Sequence, residues 1–374
     1  MSKSYYSLGL MSGTSMDGVD ASIIQTDGKA KYKAILDKYF EYPKNIHHNL
    51  VSLRDKIKSL KDLKKHQKQI KSVEKEITIF HANAANKVLK NTKVDVDFIG
   101  FHGQTIFHNA KEKKSKQLGN GKLLSKLTKK KVVYNFRQND LNNGGEGAPL
   151  APIFHKLLVE QKKISLPVII LNLGGIANYT LIWYKKEIKK NCLISKDTGP
   201  GNCLIDHWIR KKSKKLFDKN GKIAYSGKIN IKIINQALND SLIENSYDIK
   251  DFNLSVFNKL SFKDGISTLT EYTAETILAS LNDFLEDHIY NWYKSIHILI
   301  SGGGRKNKFL VSRIKKKTLR PVKLIDDLNI NGDFVESQAF AYLAIRSHLK
   351  LPISFPDTTG CNKPCTGGVL VKCF

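Results

Sequence analysis

The sequence predicts an α/β protein of two similarly built domains, and three observations carry that expectation. The chain has 374 residues, more than one hydrophobic core ordinarily serves, so two domains of about 150 to 200 residues are the natural division. The same order of elements, three β-prone segments and then alternating helical and strand-like segments, is met twice along the chain. Turns rich in Gly, Ser and Thr follow β-prone segments in each half.

In the first half, strands are expected at about 5–10, 19–26 and 31–40, the first two joined as a hairpin. Helices are expected between Asn45 and Leu89, where Leu60, Leu63, Ile70, Val73, Ile77, Phe80, Ala84 and Val88 recur near a helical period. The buried-looking run Val96–Phe101 follows, then a lysine-rich connection, a short helix and the strand Lys131–Phe136. The second half repeats the order with strands in "PVIILNL", "ANYTLIWYK" and "NCLISK", the last ending near Lys196. Helices at about 202–216 and 269–289, the strand Ile296–Ser301, a further helix, the strand Pro321–Asp326 and a helix over about 333–349 complete it. Domain I is expected to take residues 1–134 with about 352–374, and domain II residues 135–351. The layout resembles the actin, hexokinase and Hsp70 type of ATPase fold, in which two duplicated βββαβαβα domains face each other across a nucleotide cleft.

Composition narrows the function classes. Hydrophobic residues make up 41% of the chain, enough for a globular enzyme and too many for disorder. No run approaches the roughly 18 apolar residues of a membrane span, and no signal-peptide core precedes the first polar turn, so a cytoplasmic protein is expected. Five cysteines, at 192, 203, 361, 365 and 373, are odd in number and scattered, which suits a reducing compartment. Cys361 and Cys365 invite a metal, but no second Cys/His pair with ligand spacing accompanies them.

The net charge of +28 points first at nucleic acid. Only seven of the 62 basic residues are arginines (54, 137, 210, 305, 313, 320 and 346), whereas base readers lean on Arg for bidentate contacts. The lysines gather in helix-like stretches without interleaved aromatics. Specific nucleic-acid binding is not expected, only weak and salt-sensitive attraction.

Three turns carry the chemistry. In "GTSMDGVD" (Gly13, Thr14, Ser15, Met16, Asp17, Gly18, Val19, Asp20) the glycines let backbone approach a polyphosphate and the hydroxyls add donors. Asp17 beside a triphosphate would be repulsive unless a divalent cation stood between them, so it implies Mg²⁺. In "DTGPGN" a strand end runs through Gly199 and Gly201 into a helix that Asn202 could cap, and Asp197 stands where a carboxylate can take a proton. In "SGGGRKN" Gly302, Gly303 and Gly304, before Asn307, clear a surface for a flat base or ribose at a strand's carboxyl end.

With "FHGQT" (Phe101–Thr105), "FRQND", "GGEGAPLAP", "NLGGIAN", "VESQAFAYLA" (Val335–Ala344) and "TTGCNKPCTGG", these turns resemble the ordered motif set of the anhydro-N-acetylmuramic acid kinase family. The resemblance implies an ATP-dependent enzyme of bacterial cell-wall recycling. It would add water at C1 of 1,6-anhydro-N-acetylmuramic acid and phosphorylate the released O6, giving N-acetylmuramic acid 6-phosphate and ADP. Carried over motif by motif, Asp197 would activate the water and Gly13–Asp20 would hold the ATP phosphates. Motifs containing His102, Gln104, Arg137, Asp140, Asn172 and Glu336 would line the sugar, and a homodimer is implied. The chain departs from the family at Asn135, where Asp is usual, and at Glu146, where Gln is usual. Another amino-sugar kinase of the same fold, or a non-catalytic ATP switch, is the competing reading.

Overall fold

A computed structural model describes residues 3–239, 252, 254–288 and 296–372. Cys373 and residue 289, where the long second-half helix is expected to end, lie outside them. The chain opens with strands β1 (Tyr5–Ser12), β2 (Gly18–Thr26) and β3 (Tyr32–Glu41), then helices α1 (Lys44–Lys56), α2 (Leu60–Lys65) and α3 (Gln67–Lys90). Strands β4 (Phe98–Asn109) and β5 (Lys114–Leu118), helix α4 (Gly121–Thr128), strand β6 (Lys131–Tyr134) and helices α5 (Gln138–Asn142) and α6 (Pro152–Gln161) follow. A second run begins with β7 (Val168–Leu173), β8 (Ile176–Lys185) and β9 (Lys190–Pro200), then α7 (Cys203–Lys212), α8 (Lys222–Tyr225), α9 (Ile231–Asn239) and α10 (Phe262–His288). It closes with β10 (His297–Ser301), α11 (Lys308–Lys317) and β11 (Val322–Leu324), after which come α12 (Val335–His348), α13 (Pro356–Thr359) and β12 (Val369–Val371).

The first compact unit is Met1–Ile164 with Asp333–Phe374, and the second is Ser165–Gly332. In the first, strands lie in the order β12-β6-β4-β1-β2-β3 with β5 on the far half of β4; in the second the order is β11-β10-β7-β8-β9. β1 to β3 pair antiparallel, as do β7 to β9, while β4 and β6, like β10 and β11, join parallel. The duplication read from the sequence is therefore real at the level of strand order and direction. It also sends β1, β4 and β6 to end at one edge of the first sheet, and β7, β9 and β10 to end at one edge of the second, the edge where open α/β sheets bind ligands.

Local chemistry explains most elements. β1, β2 and β7 are buried nearly throughout because helices cover their sheets, so they read as apolar runs. β3 is an edge, and Lys33 and Lys38 on it are exposed. In α3 the buried positions Ile70, Val73, Ile77, His81, Ala84, Ala85 and Val88 keep the helical period. The expected helical region breaks before α2, where Ser59 caps the helix by accepting from the Asp62 N–H.

Three expectations are corrected. β5, "KSKQL", has no apolar alternation and was expected only as a connection; it exists because the outer half of β4 offers it a ladder. β9 continues to Pro200 instead of ending near Lys196, through a bulge opposite Ala177 and Asn178. The unit boundaries fall at 164/165 and 332/333 rather than at 134/135 and 351/352, because α6 and α12 belong with the first sheet. α12 lies directly on β1 and β4: a Cβ at Gly9 would stand 1.8 Å from the Ser337 carbonyl oxygen, and one at Gly100 would stand 2.1 Å from that of Phe340. Only glycine admits that approach. No helix among the described residues is long and apolar enough to cross a membrane.

Candidate active site

In the first unit the turn between β1 and β2 is held from beneath and open above. Met16, at φ +58°, is buried with Val19 in the core, while Thr14, Ser15 and Asp17 are exposed. Met16 and Val19 thus anchor the turn by their side chains, and only their backbone can face a ligand. Ser15 Oγ donates to Asp17 Oδ1 at 2.7 Å, and the Tyr42 N–H donates to the Asp17 carbonyl at 2.8 Å. Gly18 and Asp20 are already part of β2. Gln104, fully buried on β4, donates to the Gly13 carbonyl at 3.0 Å, and its Oε1 lies 2.6 Å from Ser12 Oγ. The structure therefore turns Gln104 onto the loop, although its motif suggests the sugar side.

A second polar group gathers around the middle of β4 and the residues that follow β6. His102 Nδ1 lies 2.8 Å from the Gly103 carbonyl, which only accepts, so that nitrogen carries the proton and Nε2 accepts from Arg137 Nη2 at 2.9 Å. Burial first, and then the Arg137 charge, hold the His102 pKa well below its usual value. His102 is therefore a neutral acceptor that fixes a guanidinium. Arg137 Nη1 also donates to the Gly147 carbonyl at 2.8 Å. Gly147 in turn gives its N–H to Asp140 Oδ2 at 2.7 Å, and Thr359 gives its hydroxyl to Asp140 Oδ1 at 2.7 Å. Asn135 sits at φ +57°, a backbone state Asn and Asp both tolerate, so its departure from the family leaves the turn intact. Glu146 donates its backbone N–H to the Thr359 carbonyl at 2.7 Å. Glu336 lies half-buried in the first turn of α12.

The second unit gathers three glycine-bearing turns at one sheet edge. Asp197, half-buried, is paired with Asn178 just before the β9 bulge. Beyond it the N–H groups of Gly201 and Asn202 donate to the carbonyls of Gly175 and Gly174 at 2.9 and 2.8 Å. A Cβ at Gly201 would stand 2.2 Å from the Gly174 carbonyl oxygen, so the close approach of the two turns requires glycine there. Asn202 does not cap α7 with its side chain; its amide donates instead to the Leu173 and Gly174 carbonyls, each at 3.3 Å. Gly199 lies at φ +123° in the same turn.

After β10, Gly302 at φ +78° lies beside Asn172, Gly304 packs on Leu173, and Gly303 faces open space. Asn307 caps α11, accepting from the Leu310 N–H at 3.1 Å. Its amide oxygen thus serves the start of the helix. Asn172 stands on β7 in this unit, whereas the other five residues assigned to the sugar side stand in the first. Sequence reasoning missed the brace behind the glycine run. Arg305, buried, binds Asp326 through Nε at 2.6 Å and Nη2 at 3.0 Å, and gives Nη1 to the Gly302 carbonyl at 3.1 Å. The hydrogen bonds and charge of Arg305 outweigh burial and hold the Asp326 carboxyl below its usual value. An arginine next to a glycine run in a chain of few arginines was the available signal.

The chemistry on offer is an exposed turn of hydroxyls and a carboxylate in one unit and a carboxylate beside glycine turns in the other. The sequence pattern of anhydro-N-acetylmuramic acid kinases matches residues 5–372. A protein of that name from Pelagibacter ubique (strain HTCC1062) is 55% identical over 383 residues, spanning all of both chains. Another from Zymomonas mobilis subsp. mobilis is 36% identical over 373 residues, 96% of this chain and 98% of its own. Among solved structures, component A of the (R)-2-hydroxyglutaryl-CoA dehydratase of Acidaminococcus fermentans aligns over 92% of this chain and 99% of its own, at TM-score 0.47 and 11% identity.

Proposed function

The chain belongs to the anhydro-N-acetylmuramic acid kinase family, and from that premise we propose that it opens the 1,6-anhydro ring of 1,6-anhydro-N-acetylmuramic acid with water and passes the γ-phosphoryl group of ATP to O6. The family match over residues 5–372 is the observation that carries this reading. Asp197 accepts a proton from the water as its oxygen bonds to C1 and the C1–O6 bond breaks. The departing O6 bonds to the γ-phosphorus while the bond to the β-phosphate oxygen breaks, so N-acetylmuramic acid 6-phosphate and ADP result. Coupling helps both halves, because the charge building on O6 is captured as it forms.

Thr14, Ser15 and the backbone of Gly13–Asp20 take the phosphates, and Gly302–Gly304 take the nucleoside. The exposed donors of the first turn are all oxygens, which suits a hard cation, and Asp17 would hold Mg²⁺ there. That ion would supply neutralisation of phosphate charge. Arg137, its guanidinium fixed by His102 and Gly147, supplies the positive charge that the sugar's lactyl carboxylate calls for. Cytoplasmic work in murein recycling, as a homodimer, belongs to the same proposal and rests on the family.

Labelled water tests the reaction. In ¹⁸O water, quenched before the anomers exchange, the sugar phosphate should carry one label at C1 and none in the phosphoryl group. Phosphoryl label would mean that water attacked phosphorus and would end the coupled mechanism. Unlabelled product, with N-acetylmuramic acid used as readily as its anhydro form, would establish an ordinary hydroxyl kinase instead.

The glycine run gives a separate expectation. Arg305→Ala should raise KM for ATP about tenfold, the equivalent of about 1.4 kcal/mol. It should lower stability by only about 1–3 kcal/mol, because Asp326 is partly exposed and can turn to water. Steady-state kinetics with ATP varied will measure it. An unchanged KM would separate the brace from nucleotide binding.

A further inference from the structure

The loop after α13 carries "CNKPC", and both of its thiols point at one carbonyl: Cys361 Sγ and Cys365 Sγ lie 3.2 and 3.0 Å from Lys363 O. Asp140, more than two hundred residues earlier in the chain, reaches the same place. One ligand atom from each of Asp140, Cys361 and Cys365 lies within 4.8 Å of the others, and the three residues are 1%, 1% and 3% exposed. The frame around them is fixed. Cys365 exchanges backbone hydrogen bonds with Ser354 and accepts one from the Ile353 N–H, the Asn362 N–H donates to the Asn143 carbonyl, and the Asp140 carboxylate is oriented by the Gly147 N–H and the Thr359 hydroxyl.

We propose that Asp140, Cys361 and Cys365 form a buried binding site for one zinc-like divalent cation. Zn–S bonds of about 2.3 Å and Zn–O bonds of about 2.0 Å place tetrahedral ligand atoms roughly 3.5 to 3.8 Å apart, so the observed spacing, within 4.8 Å, needs about 1.3 Å or less of closure. Two thiolates select a borderline-soft ion over magnesium or calcium. The Lys363 carbonyl, already facing both sulfurs, supplies an oxygen as the fourth ligand. Binding exchanges the two thiol protons for the cation, leaving three anionic ligands around a double positive charge. The hydrogen bonds from Gly147 and Thr359 to Asp140 are the outer support that ligating carboxylates ordinarily have. The sequence alone gave no reason to keep this metal, because the third ligand comes from a different part of the chain. The site does not depend on the proposed reaction, but it gives Asp140 a structural duty beneath Gly147 and Arg137.

Cobalt titration of the purified full-length protein, stripped with a chelator, tests the site. One equivalent of Co²⁺ should produce a thiolate-to-cobalt charge-transfer band together with the visible bands of a tetrahedral ion, and Zn²⁺ should displace it. Mg²⁺ should not. Cys361→Ser and Cys365→Ser should each remove the charge-transfer band or weaken binding at least about tenfold to a hundredfold, while Cys192→Ser should leave it. Absence of the band in the unsubstituted protein, a measurement independent of any variant's folding, would overturn the proposal. So would a band that survives in both Cys361→Ser and Cys365→Ser. Loss of two thiols to oxidised glutathione with no cation uptake would also overturn it, and would make the pair a redox dithiol.

Discussion

Replacing Asp197 with Asn should lower turnover by about three decades while ATP and sugar still bind, the loss expected when a required proton acceptor is removed without changing its shape. Asn keeps the size of Asp, and the position is held by backbone pairing to Asn178, so the strand and its bulge should survive. The carboxamide can neither take the proton of water nor stabilise the charge that follows. Steady-state turnover, with binding read by calorimetry and folding by circular dichroism, will decide it. Near-normal turnover would take Asp197 out of the mechanism.

Acid should destabilise the first unit well before the second. His81, His102 and His155 are buried there, and burial lowers all three pKa values, to about 4 for His81 and His155 and well below the usual value for His102. Unfolded, each titrates near 6.5, so above that pH folding is not opposed. Between about 6.5 and 4 the unfolded chain binds protons that the folded unit excludes, and stability falls as pH drops. Each histidine contributes about 1.4 kcal/mol per pH unit, roughly 4 kcal/mol per unit for the three together. That slope is large against total stabilities of about 5–15 kcal/mol. Asp326 in the second unit behaves differently: its carboxyl is held low, so the stability it contributes is present above the usual carboxylate range and is lost only as pH falls through its lowered value.

Of the three tryptophans, 183 and 208 lie among the described residues of the second unit, and 292 falls within its span of sequence. Denaturant unfolding at pH 7 and pH 5 should therefore shift an early transition in circular dichroism and leave the tryptophan fluorescence transition nearly in place. His81 Nε2 has no hydrogen-bond partner, so His81→Phe should remove one proton's worth of the slope at modest cost in packing. An unchanged slope would show that the ring is charged when folded.

Much of this protein was legible in one dimension because the signals concerned are local. The duplicated strand order was visible as apolar runs punctuated by Gly and Ser, and the turns at 13–20, 197–202 and 301–307 as small residues at strand ends, because backbone conformation is chosen by near neighbours. The family motifs located the candidate residues for the same reason. What the sequence could not assign was partnership. α12 is buried almost all round, so its pattern suits any sheet, and only the space left by Gly9 and Gly100 gives it to the first. Gln104 reads as a residue of the sugar motif until its carboxamide is found against Gly13 and Ser12. Arg305 finds Asp326, and Asp140 finds Cys361 and Cys365, across stretches of chain whose spacing encodes nothing about distance. The sequence by itself determined the elements, their duplication and the composition of the turns, through short-range sterics and hydrophobic period. Tertiary structure alone decided which carboxylate, guanidinium and thiol meet, because those contacts follow from how helices and loops pack on the two sheets.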